Sequence, residues 1–166
     1  MTEAKKLFSH DNPRIDVVLL DIQLTDGWGL DFIPWFRDFP AHDQNTIMAV
    51  YTNYSDYSHV NAAMSLGVRA YVCKHRDEKE LEEALLTALN GNIYIDDMAQ
   101  AKVQTVKDIL SLLTKRETEL FHLVKSGLSN KQIAAKLDIS YRTVENILSC
   151  MYDKTGIKNR PELQNL

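Results

Sequence analysis

Three short apolar segments, with helical patterns between them, restrict the fold of the first half of the chain more than any other feature. The segments are IDVVLL (15–20), TIMAV (46–50) and VRAYVC (68–73), and the first two are nearly continuous runs rich in β-branched residues. Such runs are typical of strands buried on both faces of a parallel sheet. Because helical patterns alternate with them, these segments predict an α/β unit with a parallel sheet.

Capping signals mark the helices of this unit. The stretch DYSHVNAAMSLG has apolar residues at helical spacing and ends on Gly67, a typical helix stop. Asp77 and Glu80 have the spacing of a capping box, which predicts a helix over DEKELEEALLTALNG. In GLDFIPWFRDF, Pro34 allows a helix only if it lies in the first turn.

The last third of the chain is predicted to be entirely helical. Thr114 with Glu117 and Ser129 with Gln132 have the spacing of capping boxes, and Ser140 is a third N-cap candidate. The stretch NKQIAAKLDISYRTVENIL reads as a short helix, the three-residue turn DIS and a longer helix. This is the helix-turn-helix layout, whose second helix can enter the major groove of DNA.

These patterns predict an α/β domain over residues 1–92, a helical linker over 93–112 and a helical domain over 113–166. Within the linker, GNIYIDDMAQ reads as a turn or connector and AKVQTVKDILSLL as a helix. Residues 1–112 carry 10 Lys+Arg and 17 Asp+Glu, a net charge of −7, whereas residues 113–166 carry 9 and 6, a net charge of +3. The basic C-terminal segment is therefore expected to meet a polyanion.

The composition, 45% hydrophobic and 25% charged, is typical of a soluble globular protein. No apolar run approaches the ~20 residues of a membrane helix, and the N-terminal residues lack a signal-peptide core, so we expect a cytoplasmic protein without a membrane partner. Cys73 and Cys150 form no CxxC or Cys/His cluster, and the five histidines lack metal-ligand spacing. The sequence therefore predicts neither a metal site nor a structural disulfide.

Polar residues stand at the carboxyl ends of the three predicted strands. These residues are Asp21, Thr52 and Lys74. Polar residues commonly follow the end of a buried strand, so each of these residues taken singly does not indicate a functional site. In an open parallel sheet, however, that edge is where ligands bind, and the fold brings an acid, a hydroxyl and an amine together there.

The stretches VVLLDIQL, VYTNYSD and AYVCK resemble the receiver domain of response regulators. The resemblance implies that Asp21 is the phosphoacceptor-like residue, that Thr52 and Lys74 contact the phosphate, and that Tyr71 reports the state of the site. Gly29 matches the loop glycine of the family. The implied fold is a flavodoxin-like receiver domain.

The chain departs from the receiver pattern before the Asp21 strand. The family places two strands there, whereas TEAKKLFSH leaves room for one helix, so we expect strands 1 and 2 to be missing. The family's Mg²⁺-binding acids have no counterpart, because Asp11, Asp16 and Asp26 lie elsewhere. Phosphoryl transfer relies on a metal to neutralise charge. We therefore expect no cofactor, with Mg²⁺ needed only if Asp21 accepts a phosphoryl group, and regulation independent of phosphorylation.

Loss of these strands changes the exposure of the Asp21 strand. In the 2-1-3-4-5 order of such sheets, removing strands 1 and 2 leaves this strand at the edge. The run VVLL is apolar, and an exposed apolar edge strand invites another chain to pair with it. The sequence therefore predicts self-association through this region or a rearranged fold.

Residues 113–163 resemble the LuxR/FixJ-type helix-turn-helix domain of bacterial transcription regulators. The resemblance covers LTKRETELFHLVKSGLSNKQIAAKLDISYRTVENILSCMYDKTGIKNRPEL. In its second helix, Val144, Leu148 and Met151 repeat at inward-facing spacing, with Ile147 beside them. The opposite face carries the candidates for base edges, Arg142, Glu145, Asn146 and Ser149. The candidates for phosphate contacts are Lys131, Thr143, Lys154 and Lys158.

Two positions depart from this family. Lysine and histidine are usual where this chain has Glu145 and Ile147. A carboxylate in the groove repels phosphates, but it can accept a hydrogen bond from cytosine N4. We hypothesise that Glu145 either reads a C·G pair or weakens binding enough to make dimerisation obligatory.

Together the two resemblances identify the chain as similar to NarL/FixJ-type response regulators. They imply a dimeric DNA-binding transcription regulator, not an enzyme, with double-stranded DNA and a histidine kinase as partners. The alternative is an interaction protein that pairs with a full-length response regulator and modulates it. A third hypothesis is that the sequence is a piece of a longer regulator, whose phosphorylation then belongs to the complete protein.

Overall fold

The computed structural model describes residues 2–10, 14–39 and 45–166. They divide into two units, residues 1–101 and residues 102–166. Of the predicted positions, Asp11 lies outside the described residues. No helix in the described ranges is long and apolar enough to cross a membrane.

The first unit alternates strands and helices, as the apolar segments predict. Its elements are α1 (Thr2–His10), β1 (Val17–Leu20), β2 (Gln23–Leu24), β3 (Gly27–Trp28), α2 (Phe32–Asp38), β4 (Ile47–Thr52), α3 (Tyr57–Ser65), β5 (Ala70–Cys73), α4 (Glu78–Leu89) and β6 (Tyr94–Ile95). A 3₁₀ turn over Gly29–Asp31 precedes α2. Helix α5 (Asp97–Ser111) starts in this unit and continues past its boundary.

The main sheet has the strand order β1-β4-β5-β6, and every pairing in it is parallel. Strand β5 is buried along its whole length, and its Ala70 and Val72 pack with Ala49 of β4 and Ala84 of α4. Strand β1 lies at one end of the order, and Leu19 in it is 45% exposed. The parallel sheet is thus as predicted, while β1 is less buried than its apolar run suggests.

Residues 91–100 were predicted to form a turn or connector, which is correct for residues 91–93 and wrong for most of the rest. The stretch contains β6 and the start of α5. Tyr94 N donates to Arg69 O and Asp96 N donates to Tyr71 O, both at 2.9 Å, which ties the stretch to β5. A two-residue strand has almost no periodicity of its own, so this pairing with a distant strand is what creates it.

The loop after β1 depends on Gly29. Gly29 N donates to Ile22 O at 2.7 Å. A Cβ atom at this position would lie 1.8 Å from the backbone oxygen of Asp21, so no larger residue fits without moving the loop. Helix α2 follows directly, with Pro34 in its first turn, the position where the sequence allowed it.

In the described residues, the second unit consists of helices. They are the remainder of α5, then α6 (Lys115–Lys125), α7 (Asn130–Leu137), α8 (Tyr141–Thr155) and α9 (Arg160–Gln164). The two capping boxes predicted in this unit form, at Thr114 and at Ser129, and Ser140 caps α8 by accepting from Thr143 N. The turn between α7 and α8 is the predicted three residues. Large buried side chains in this unit are Leu120, Phe121, Ile133, Met151 and Leu163.

Candidate phosphoacceptor-like site and nucleic-acid interface

The residues predicted at the strand ends do come together. Asp21 follows β1 and Lys74 follows β5, and Lys74 Nζ donates to Asp21 Oδ2 at 2.6 Å. Gln23 N donates to the other carboxylate oxygen at 3.3 Å. The side chains are about a quarter and a third exposed, at 26% for Asp21 and 34% for Lys74. The fold therefore builds a solvent-accessible ion pair at this edge of the sheet.

This environment favours the charged form of Asp21. Partial burial acts to raise the pKa of the carboxyl group, but the hydrogen bond from Lys74, the nearby Thr52 hydroxyl and the Gln23 amide together outweigh it. The pKa of Asp21 is thus held below its ordinary value. Asp21 is a carboxylate at neutral pH, and Lys74 compensates its charge.

Thr52 ends β4 and is completely buried beside this pair. Its hydroxyl is close to the Asp21 carboxylate but has no hydrogen-bond partner of normal geometry among the described residues. A buried hydroxyl without a partner is unusual, because its desolvation is not compensated. Tyr71 is also completely buried, and its hydroxyl donates to Tyr54 O at 2.8 Å.

The acidic side chains near Asp21 decide whether a metal ion such as Mg²⁺ could be held at this site. No group of three or more His, Cys, Asp or Glu side chains that could hold a metal occurs in the described ranges. Asp16 instead pairs with Arg14 at 3.7 Å, and Asp26 accepts from Thr2 N at 2.8 Å. Among the described residues, this site contains the carboxylate of Asp21, and Lys74 donates a hydrogen bond to one of its oxygens.

An aromatic cluster flanks the site, and the sequence did not predict it. The ring of His59 stacks on Tyr54 at 4.4 Å and tilts against Trp28 at 5.3 Å, centroid to centroid. His59 Nδ1 lies 2.5 Å from Asp56 Oδ2. The hydroxyl of Tyr54 donates to the side chain of Gln23 at 2.7 Å, which connects the cluster to the loop after Asp21. Its members come from separate segments, so no local pattern reveals them.

Helix α8 presents the predicted faces. Val144, Leu148 and Met151 are buried, and Ile147 is half-buried beside them. The side chains predicted to face bases are all exposed, namely Arg142, Glu145, Asn146 and Ser149. The domain thus offers one continuous polar face on its longest helix.

The residues predicted to contact phosphates differ in their surroundings. Lys131 and Lys158 are exposed. Thr143 is exposed too, but its hydroxyl lies 2.8 Å from that of Ser140. Lys154 Nζ donates to both oxygens of Glu117, at 2.7 and 2.9 Å. Lys154 therefore joins α8 to the start of α6, a structural role that the spacing in the sequence did not indicate.

Two arginines hold α7 at its ends. Arg116 Nη2 donates to Leu137 O at 3.1 Å, at the carboxyl end of the helix. Arg160 Nη1 donates to Leu128 O at 2.8 Å, just before the helix begins, and Nη2 donates to the side chain of Asn130. These bonds fix the first helix of the helix-turn-helix, since they satisfy carbonyls that α7 itself does not use.

Known protein families match both units. The response regulator receiver domain family matches residues 1–86, and the luxR family of bacterial regulatory proteins matches residues 111–166. The DNA-binding transcriptional activator DevR/DosR of Mycobacterium tuberculosis is 30% identical over 156 residues, which are 90% of this chain and 70% of that protein. The chain belongs to the NarL/FixJ-type two-component response regulators. The resemblance found in the sequence is thereby confirmed.

Other relatives of this response regulator agree. The oxygen regulatory protein NreC of Staphylococcus aureus is 28% identical over 162 residues, covering 89% of this chain and 73% of the relative. The fold is similar to that of RcsB from Salmonella enterica serovar Typhimurium bound to promoter rprA, with a TM-score of 0.63, 22% identity and coverage of 99% and 79%. A parallel-sheet receiver domain followed by a helical luxR-type domain is therefore the fold class, as predicted.

Proposed function

We propose that this response regulator is a dimeric DNA-binding transcription regulator whose DNA binding does not require phosphorylation of Asp21. The observation that carries the proposal is the exposed polar face of α8, the second helix of the helix-turn-helix. In that motif the second helix lies in the major groove with its amino-terminal residues at base edges. Arg142, Glu145, Asn146 and Ser149 are the side chains that would read them.

The charge of the second unit supports this assignment. Lys131 and Lys158 are exposed cations on the helix-turn-helix domain, where they would bind phosphates and fix its position. The relative from Mycobacterium tuberculosis is named as a DNA-binding activator, and RcsB was solved on promoter DNA.

Selection from a random duplex pool at fixed salt should enrich a sequence motif. Equal binding to all duplexes would contradict the proposal.

Dimerisation is supported by the exposure of β1. This strand ends the sheet order in the described residues, and Leu19 is largely exposed on it. An apolar edge strand with unpaired backbone groups is a template for another strand. We expect light scattering to give twice the chain mass at micromolar concentration, and a monomer throughout this range would count against the proposal.

Independence from phosphorylation rests on the surroundings of Asp21, whose carboxylate pairs with Lys74. The described residues also offer no metal-binding group around it. Intact-mass measurement after incubation with acetyl phosphate and Mg²⁺ should show no phosphate adduct on the wild-type chain. An adduct that disappears in Asp21→Asn, together with DNA binding that appears only when the adduct is present, would contradict this part of the proposal.

A second candidate function uses the same exposed edge of β1 differently. The chain would pair with a full-length response regulator through this strand and modulate it. Co-purification with such a regulator, together with no enrichment of any DNA motif, would favour this candidate. Motif enrichment by the purified chain alone would favour the first.

A further inference from the structure

We infer that Glu145 is a specificity-determining residue, which selects a C·G pair at one position of each DNA half-site by accepting a hydrogen bond from cytosine N4. The inference deepens the proposed function and rests on it, since it requires α8 to enter the major groove. The inference specifies which base the groove-facing surface of α8 recognises at this position.

The position of Glu145 carries the first step. It is the fifth residue of α8 and is exposed, between Arg142 one turn before it and Ser149 one turn after it. Its carboxylate has no ion pair or hydrogen bond with any residue in the part of the chain that the structure describes, and Arg142 does not neutralise it. A carboxylate in this place enters the groove with both oxygens available to accept hydrogen bonds.

The chemistry of base edges carries the second step. An ionised carboxylate accepts hydrogen bonds and cannot donate them. In the major groove, guanine and the thymine carbonyl present acceptors, and adenine presents an acceptor next to its amino donor. Cytosine presents a donor and no acceptor on its own edge. The DNA phosphates repel Glu145, and a hydrogen bond accepted from cytosine N4 offsets this repulsion better than a contact with any other base edge.

Asp153 provides a matched control on the same helix. It is exposed and lies eight residues beyond Glu145, about 12 Å further along the axis. In a helix-turn-helix, the amino-terminal residues of the second helix contact base edges. Asp153 lies in the last turn of α8 and is therefore expected outside the part of the helix that reads bases. Removal of one negative charge at either position weakens repulsion from DNA. A change of base preference is expected at position 145 alone.

The experiment is selection of the full chain on a random duplex pool, at one salt concentration, for the wild type, Glu145→Gln and Asp153→Asn. We expect the wild type to select cytosine at one position of each half-site. Glu145→Gln should lose this preference about fivefold to tenfold and gain adenine there, because a glutamine can pair with both the acceptor and the donor of adenine. Asp153→Asn should bind somewhat more tightly and keep the wild-type motif.

Glu145→Lys is a second variant with a different expected base. A lysine should bind more tightly and select guanine at the same position. If Glu145→Gln and Glu145→Lys select the wild-type motif, the inference is overturned while the proposed function stands. If neither the wild type nor any variant enriches a motif, the proposed function fails, and the inference fails with it.

Discussion

Glu117 links three parts of the second unit through its carboxylate. It accepts from Thr114 N at 2.8 Å, which completes the cap of α6, and it receives both bonds from Lys154 of α8. The Lys154 ammonium and then the Thr114 backbone hold the pKa of Glu117 at about 2, below its usual value. The charged form of Glu117 is therefore the one that stabilises this packing.

Replacement of Glu117 by Gln should lower stability in a pH-dependent way. Because its folded pKa is depressed, the contribution of Glu117 is present above pH ~4.5 and disappears as the pH falls toward 2. Lys154 is 43% exposed, so solvent screening reduces the loss to about 1 to 2 kcal/mol at pH 7. Denaturant unfolding from pH 7 to pH 2.5 tests this. A gap between the two proteins that stays constant across this range would refute it.

Asp138 in the turn between α7 and α8 has a strained backbone. Its φ and ψ are 51° and 50°. Among the described residues, Asp138 is the one non-glycine residue with a positive φ. A side chain in this left-handed region costs about 1 kcal/mol relative to glycine. Glycine recovers only part of this energy, because its unfolded chain has more conformational entropy to lose on folding. The turn of the helix-turn-helix therefore carries strain that glycine would remove.

We expect Asp138→Gly to raise the free energy of unfolding of the second unit by about 0.5 kcal/mol. The matched control is Asp153→Gly, in the last turn of α8, which should lower it by about 0.3 kcal/mol because glycine has a lower helix propensity than aspartate. Thermal unfolding followed by circular dichroism measures both. A loss of stability in Asp138→Gly would show that the aspartate side chain contributes more than its strain costs.

At the scale of elements, Asp96 fixes the start of α5 to the first unit. Its side chain is completely buried and accepts from Met98 N at 2.9 Å and from Ala99 N at 3.3 Å. Arg76, in the loop after β5, donates to it at 2.5 Å. Burial opposes the charge, but the bond from Arg76 and the two amides hold the pKa of Asp96 below its usual value. One carboxylate thus serves as helix cap and as ion-pair partner.

Asp96→Ala should lower the free energy of unfolding of the first unit by about 2 to 3 kcal/mol. The change removes a cap and leaves Arg76 with a weaker partner, Glu80 at 3.2 Å. Hydrogen exchange at the amides of Met98 and Ala99 should also accelerate. The control Asp97→Ala alters a residue that is 91% exposed and should change stability by less than about 0.5 kcal/mol. Equal effects of the two substitutions would refute the role of Asp96.

At the scale of the whole molecule, positive charge is concentrated in residues 113–166, whose 9 Lys+Arg and 6 Asp+Glu give a net charge of +3 in a chain of net charge −4. If the proposed function holds, the salt dependence of DNA binding comes from contacts of this part with phosphates. Each phosphate contact contributes about 0.9 to the slope of log K against log salt. In a dimer, each lysine is present twice.

Lys131→Ala and Lys158→Ala should each reduce the magnitude of this slope by about 1.8, with the selected motif unchanged. Lys79→Ala, an exposed lysine in α4 of the first unit, is the matched control and should leave the slope unchanged. Binding to one selected duplex between 50 and 200 mM salt, a range that is ample for such a slope, measures all three. Identical slopes for the three variants would exclude these lysines as phosphate contacts.

Local chemistry in the sequence determined the helices, the parallel strands and the family. Capping at Thr114, Ser129 and Ser140 depends on residues three apart, and the inward face of α8 depends on helical spacing, so short stretches were sufficient to predict both. The meeting of Asp21 with Lys74 also followed from the sequence, because parallel strands end at one edge of a sheet.

Tertiary structure decided what depends on distant partners. Strand β6 exists because it pairs with β5, and Lys154 forms an ion pair because Glu117 of α6 packs next to it. The cluster around His59 and the burial of Thr52 beside Asp21 arise in the same way. Each depends on long-range packing, and a side chain's chemical type does not specify which distant group it will meet.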